Sequence, residues 1–153
     1  MKKFRYSMEN LLQVKKKLED QARIAYGLAR LRLTKEEEKL ELLKQRKVIY
    51  ENELRNLRSD KLDIIKIRQG EQAIEVMRQN IKQQTTAVKN AAHRLEIARL
   101  RLSDAMVERK TQERLKEKAF EEYLLEFDAE ERKEVDELNS FNYSKPALDG
   151  EDR

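Results

Sequence analysis

The sequence contains no cysteine and no tryptophan, and only one proline and three glycines among 153 residues. The absence of cysteine excludes disulfides and thiolate chemistry and suits a reducing compartment. No apolar run of signal-peptide length follows the basic N-terminus, and no uncharged apolar window approaches the roughly 18 residues of a membrane span. Because a compact globular fold needs loops rich in glycine and proline, this composition argues against one.

The side chains that catalysis or cofactor binding would require are also missing. The single His93 has no cysteine or second histidine for a metal site, and the glycines at 27, 70 and 150 cannot form a phosphate-binding loop. We therefore expect no enzyme activity, no catalytic residue, no cofactor, no metal and no small-molecule substrate. We also expect no nucleic-acid partner, because the acidic residues of the other half would screen the basic N-terminal half. The alternative, nucleic-acid binding through that half, predicts affinity that falls steeply with salt.

Charged residues make up 42% of the chain, which is typical of long helices and coiled coils. Residues 71–145 contain neither glycine nor proline, and runs with the two-residue alternation of strands are absent. Apolar or small residues recur there at steps of three and four, which predicts a heptad seam on one side of a helix. The predicted seam consists of Ile74, Met77, Ile81, Gln84 or Thr85, Val88, Ala91, Leu95, Ala98, Leu102 and Ala105.

A first helix is predicted over about 8–57, with Ser7 as its N-cap. The spacing predicts a stutter, one extra step of four, between Ala25 and Leu33. The adjacent Gly27 indicates either a soft point in the helix or the close approach of another backbone. The predicted seam of this helix consists of Leu11, Val14, Leu18, Ala22, Ala25, Ala29, Leu33, Glu36, Leu40, Leu43, Lys47, Tyr50, Leu54 and Leu57.

The pattern weakens at about 56–72, which predicts the turn, followed by a second helix over about 72–141. Within the turn region, Ile64, Ile65 and Ile67 either close the hairpin core or form an apolar tip for a partner. Residues 109–118 are almost wholly polar and predict a solvated, weakly packed stretch. We expect residues 1–145 to form a single hairpin and residues 142–153 to form a disordered tail.

The charge distribution favours an antiparallel hairpin over a parallel dimer. Residues 1–50 carry 14 basic and 7 acidic side chains, whereas residues 101–153 carry 10 basic and 16 acidic ones. Folding back would set Lys15, Lys16, Lys17 and Arg23 near the acidic residues of 122–131. A turn near 72 would bring Phe4 and Tyr6 to Phe141 and Tyr143, and a turn near 60 would leave the C-terminal turns as a single overhanging helix.

Two end segments resemble the flagellar export protein FliJ family. The N-terminal KFRYSMENLLQVKKKLED has an aromatic-x-aromatic pair, a Met-Glu pair and a double leucine before a charged helix. The C-terminal ERKTQERLKEKAFEEYLLEFDAEERKEVDELN has Glu-Arg-Lys, then an acidic run ending at Lys133, Asp136, Glu137 and Leu138. The order of the segments and the length also match, whereas Asn139 and the middle of the chain, 60–90, depart from the family pattern.

The resemblance implies a soluble, cytoplasmic component of the flagellar type III export apparatus, needed for motility and peripherally associated with the membrane at the basal body. Its hairpin would resemble the central stalk of rotary ATPases and sit in the hexameric export ATPase. Further implied partners are the regulator of that ATPase, the membrane-embedded export gate and the export chaperones.

We expect a monomeric hairpin that binds these partners. The alternative is a generic coiled-coil spacer or dimerisation protein without an ATPase partner. The candidate partner-binding residues are the apolar residues after the turn and the aromatic residues near the C-terminal end: Ile64, Ile65, Ile67, Ile74, Met77, Phe120, Tyr123 and Phe127.

Overall fold

The computed structural model describes residues 2–59 and 61–144. Two helices account for most of them, α1 at Glu9–Ser59 and α2 at Ile64–Ser144, and the described residues contain no strand. The prediction of an all-α, antiparallel two-helix hairpin is confirmed. The long stretch without glycine or proline lets α2 run for 81 residues.

The turn lies between Ser59 and Ile64. Asp63 caps α2, since its Oδ1 accepts hydrogen bonds from the backbone N–H of Ile65 at 3.1 Å and of Lys66 at 3.3 Å. The helix therefore begins about eight residues before the predicted start at 72, and Gly70 lies inside it. Gly70 lacks the positive φ of a helix-terminating glycine.

The predicted C-terminal boundary also shifts. α2 continues to Ser144, past the predicted end at about 141, so residues 142–144 of the predicted disordered tail are helical. The rest of that predicted tail, 145–153, lies outside the described residues.

The chain divides into two compact units, and α1 and α2 each contribute to both. The terminal unit comprises the residues up to Leu18 and those from Met106 onward, and the turn unit comprises Glu19–Ala105. The helices are antiparallel in each unit. In the terminal unit Glu9 pairs with Lys116 and Lys15 with Glu108. In the turn unit Glu36 pairs with Gln84, and Leu54 lies against Gly70.

The seam predicted for the second helix agrees with the burial along α2. Ile74 and Ala91 are buried and the other predicted seam residues are half-buried. The spacing of three and four continues through Arg109, Gln112, Lys116 and Ala119, all half-buried. The predicted solvated stretch at 109–118 therefore packs on one side, because long polar side chains can cover a seam with their methylene groups.

The first half of the predicted α1 seam is wrong at three positions, Val14, Leu18 and Ala25. The other predicted positions in that half are half-buried, as expected: Leu11, Ala22, Ala29 and Leu33. Leu12 and Glu19 are buried, whereas Val14, Leu18 and Ala25 are exposed. From Leu12 onward the inward positions alternate by three and four without a break, so α1 needs no stutter. They are Leu12, Lys15, Glu19, Ala22, Tyr26, Ala29, Leu33, Glu36, Leu40, Leu43, Lys47, Tyr50, Leu54 and Leu57.

Gly27 is an exposed position in the middle of α1. A Cβ atom built there would meet nothing within 4 Å. The alternative that Gly27 allows a neighbouring backbone to approach is therefore wrong. What remains is the conformational cost of glycine inside a helix.

Candidate partner-binding surfaces

An aromatic cluster of Phe4, Phe120, Tyr123 and Phe127 holds the N-terminal segment on α2 in the terminal unit. The ring centroids of Phe4 and Phe120 are 5.1 Å apart in an edge-to-face arrangement, and those of Phe4 and Tyr123 are 5.4 Å apart. Phe127 joins through Tyr123 at 6.3 Å. The Tyr123 hydroxyl donates to the Lys2 carbonyl at 2.8 Å. Three of the predicted partner-binding residues thus already pack within the chain.

This arrangement corrects two expectations about the ends of the chain. Phe4 meets Phe120 rather than Phe141, and the Tyr6 hydroxyl donates to Gln112 Oε1 at 3.3 Å rather than approaching Tyr143. The reason is the turn at 60–63, which places the N-terminal segment opposite residues well before the end of α2. Residues 128–144 are all exposed, as expected for a turn near 60.

The ion pairs that join α1 and α2 in the terminal unit involve other residues than those predicted. Lys15 Nζ lies 2.8 Å from Glu108, instead of near the acidic residues at 122–131. Lys116 Nζ lies 2.9 Å from Glu9 Oε2. Hydrogen bonds from Lys116 and then Gln13 lower the pKa of Glu9, so this carboxylate stays ionised at neutral pH. The predicted pairing of Arg23 is also replaced, because Arg23 lies 2.7 Å from Glu19, one helical turn away.

The turn unit has a buried polar pair in its seam. Glu36 is only 5% exposed, and Gln84 Nε2 donates both to its carboxylate, at 2.5 Å, and to its backbone carbonyl, at 2.9 Å. The hydrogen bond from Gln84, followed by the charges of Lys39 and Arg32, lowers the pKa of Glu36 despite its burial. Because Glu36 lies on α1 and Gln84 on α2, these hydrogen bonds join the two helices across the seam.

An apolar tip is formed at the turn by Leu62, Ile64 and Ile65, which are 75%, 67% and 69% exposed. These residues flank the Asp63 cap, which places Ile64 and Ile65 in the first turn of α2. Beside the tip, Arg58 and Glu71 form an ion pair at 2.9 Å.

The remaining predicted residues at this end lie in the packed seam. Ile74 is buried, and Ile67 and Met77 are half-buried. The Leu54 side chain closes the seam against Gly70. Of the predicted residues near the turn, Ile64 and Ile65 are therefore the ones accessible to a partner.

Sequence reasoning missed two features. It did not identify Glu19 as a buried seam position, although the spacing of three and four from Leu12 reaches it. It also did not predict that large apolar residues lie on the outer sides of the helices, and it placed Val14 and Leu18 in the seam instead. In the terminal unit these include Val14 and Leu18 on α1 and Val107 and Leu115 on α2.

Across residues 2–59 and 61–144, no group of three or more His, Cys, Asp or Glu side chains could hold a metal ion. Over the same ranges, neither helix has a segment apolar enough to cross a membrane. The surfaces that this part of the chain offers are those of paired helices. They suit contacts with other proteins.

Comparisons with known proteins agree with this description. A family model described as flagellar FliJ protein matches residues 4–148. Among solved structures, the fold is similar to that of CT670 from Chlamydia trachomatis, described as a YscO homologue, with a TM-score of 0.72 and 24% identity. That similarity covers 93% of this chain and 96% of the other. No curated protein matches the sequence at a significant level.

Proposed function

Because the chain belongs to the flagellar FliJ protein family and so to the components of the export apparatus, we propose that it acts as a stalk within the export ATPase ring. The terminal unit enters the ring, and the turn unit carries the contact to the membrane-embedded export gate. The protein thereby couples the ATPase to the gate at the cytoplasmic face of the membrane.

The observation that supports this proposal is a set of exposed apolar residues on the outer sides of the terminal unit. Val14 and Leu18 on α1 and Val107 on α2 are all exposed, whereas Leu12 on the inward side of α1 is fully buried. A helix pair on its own gains nothing from such residues, whereas a ring that surrounds it would cover several sides at once.

The test measures ATP hydrolysis by the export ATPase of the same organism, with and without the full chain. We expect a clear rise in rate and co-elution as a ring complex. Replacing both Val14 and Val107 by Gln should weaken both effects, since it removes apolar surface from both helices while keeping them exposed. No stimulation and no co-elution would contradict the stalk role.

A second variant addresses the charge of the terminal unit. Reversing Glu126, Asp128, Glu130 and Glu131 to Lys should reduce binding to the ATPase ring if this end enters it. A matched control reverses the four exposed residues Glu37, Glu38, Glu41 and Glu53 of the turn unit to Lys and should leave binding unchanged. Equal binding by both variants would count against the proposed orientation.

The apolar tip supports the proposed contact with the export gate. Leu62, Ile64 and Ile65 are exposed in a chain that is otherwise highly charged, which is typical of a partner-binding surface. Replacing Ile64 and Ile65 by Gln should abolish binding to the cytoplasmic part of the gate and leave ATPase stimulation intact. Loss of both functions would indicate a folding defect instead.

The regulator of the ATPase and the export chaperones are further proposed partners, without assigned residues. We also propose a monomer, because the α1 seam is covered by α2 within each unit. Sedimentation equilibrium tests this directly. A dimer at micromolar concentration would favour the alternative of a dimerising coiled coil.

A further inference from the structure

The C-terminal part of α2, residues 128–144, forms an exposed helical surface in the terminal unit. Every one of its 17 residues is exposed, whereas Tyr123 and Phe127 just before it are half-buried. The contact of the Lys2 carbonyl with the Tyr123 hydroxyl lies close to the point where cover by the N-terminal segment ends.

The hairpin seam continues along this exposed part. From Phe127, a step of seven residues reaches Glu134 on the same side of the helix, and a further step of four reaches Leu138. Val135 lies beside them, and Val135 and Leu138 are 53% and 60% exposed. By contrast, Leu125 points to the opposite side. Residues 128–144 therefore present an apolar face at the position where a second helix would continue the hairpin packing.

The charges around this face limit which helix can cover it. Residues 128–144 contain six acidic and two basic side chains. A second copy of the same segment would bring acidic residues against acidic residues, and an anionic membrane surface would be repelled. A basic helix satisfies both the apolar face and the charge.

We infer that a basic amphipathic helix of another protein docks on the face formed by Val135, Leu138 and Glu134. This helix would run antiparallel or parallel to α2 and continue the packing of the hairpin seam. Docking covers apolar surface that α2 by itself leaves in water, and an uncovered amphipathic helix is marginally stable. This inference goes beyond the proposed function and does not require it.

The test uses the full chain and two designed peptides of about 20 residues, the length of a helix that would cover 128–144. One carries Leu at the a and d positions of the heptad and Lys at the flanking positions, and the other carries Glu in place of Lys. Fluorescence anisotropy at near-physiological salt should show binding of the Lys peptide alone. Bound peptide should also slow amide hydrogen exchange in 128–144.

Matched variants separate specific docking from general charge attraction. Leu138→Gln should weaken binding about tenfold, whereas Leu125→Gln, on the opposite side of the same helix, should leave it unchanged. Glu134→Lys should weaken binding more than Asp136→Lys, two residues away and off the face. Circular dichroism checks that each variant keeps its helix, since Gln is a good helix former.

Three results would overturn the inference. They are equal losses for Leu138→Gln and Leu125→Gln, equal binding of the Lys and Glu peptides, and a dimer of the chain that forms through residues 128–144. Since no export protein is present in the assay, its failure would leave the proposed function intact, and failure of the ATPase test would leave this inference intact.

Discussion

Gln84 donates two hydrogen bonds to Glu36, one to its carboxylate and one to its backbone carbonyl, across the seam of the turn unit. Arg32 adds an ion pair to the same carboxylate at 3.1 Å. A carboxylate that is almost fully shielded from water needs such partners, because desolvation otherwise disfavours its charge. The pair therefore links the two helices at one defined register.

Gln84→Ala should lower the thermal unfolding midpoint, because it removes the neutral donor and leaves a buried carboxylate with fewer partners. Replacing both Glu36 and Gln84 by Leu should restore the midpoint to the wild-type value or above it, since apolar packing often exceeds a buried polar pair in stability. Circular dichroism at increasing temperature measures both. A double variant less stable than Gln84→Ala would contradict this account of the pair.

The lowered pKa of Glu36 predicts a pH dependence of stability. The pKa of Glu36 in the folded state lies below its ordinary value of 4.5. Between these two pH values the unfolded state binds more protons than the folded state, so stability falls as the pH falls. The stability that the ionised Glu36 contributes is fully present above pH 4.5 and is lost as the pH drops through the folded pKa of this residue. Glu36→Gln should flatten this loss in urea unfolding at about pH 3 to about pH 6. The exposed Glu38→Gln serves as the control and should retain the wild-type slope.

The two helical glycines should respond differently to alanine. Gly27→Ala should stabilise the chain by about 1 kcal/mol, because the helix gains a better former and the new Cβ meets nothing within 4 Å. At Gly70 a Cβ would lie 3.0 Å from Leu54 Cδ1, so Gly70→Ala should gain less or destabilise. Urea unfolding of the two variants measures the difference. A larger gain at Gly70 than at Gly27 would contradict the packing described for Leu54.

Phe4→Ala should destabilise the terminal unit by about 1–2 kcal/mol, because Phe4 makes two aromatic contacts, with Phe120 and Tyr123. Amide hydrogen exchange should rise in the N-terminal segment and around Tyr123. Tyr143→Ala is the matched control, since Tyr143 is 90% exposed, and should change stability little. Unchanged exchange near Tyr123 in Phe4→Ala would show that the aromatic cluster does not hold the segment.

The α2 seam was predictable from sequence because its inward positions are mostly apolar or small. Ile74, Ala91 and Leu95 follow the heptad spacing closely, and any helix with that pattern must bury the side on which they lie. The α1 seam was harder to predict, since apolar residues mark two neighbouring stripes. Val14 and Leu18 belong to the exposed stripe, and Lys15 and Glu19 to the inward one.

The apolar tip and the aromatic cluster also differ in how far the sequence could predict them. The exposure of Ile64 and Ile65 could be expected from a turn near them, once Asp63 is identified as the cap. The packing of Phe4 on Phe120 could not, because it depends on the position of the turn to within a few residues. Moving the turn by six residues would shift every facing pair by about twelve.

Periodicity and composition were sufficient to predict the helical class, because backbone propensity and the spacing of apolar residues are local properties of the chain. The opposite net charges of the two ends favoured the antiparallel pairing. Tertiary structure alone decided which of the two α1 stripes is inward, which residues face each other, and which apolar residues stay exposed. Those outcomes depend on the facing helix, whose buried surface outweighs the hydrophobicity of any single position.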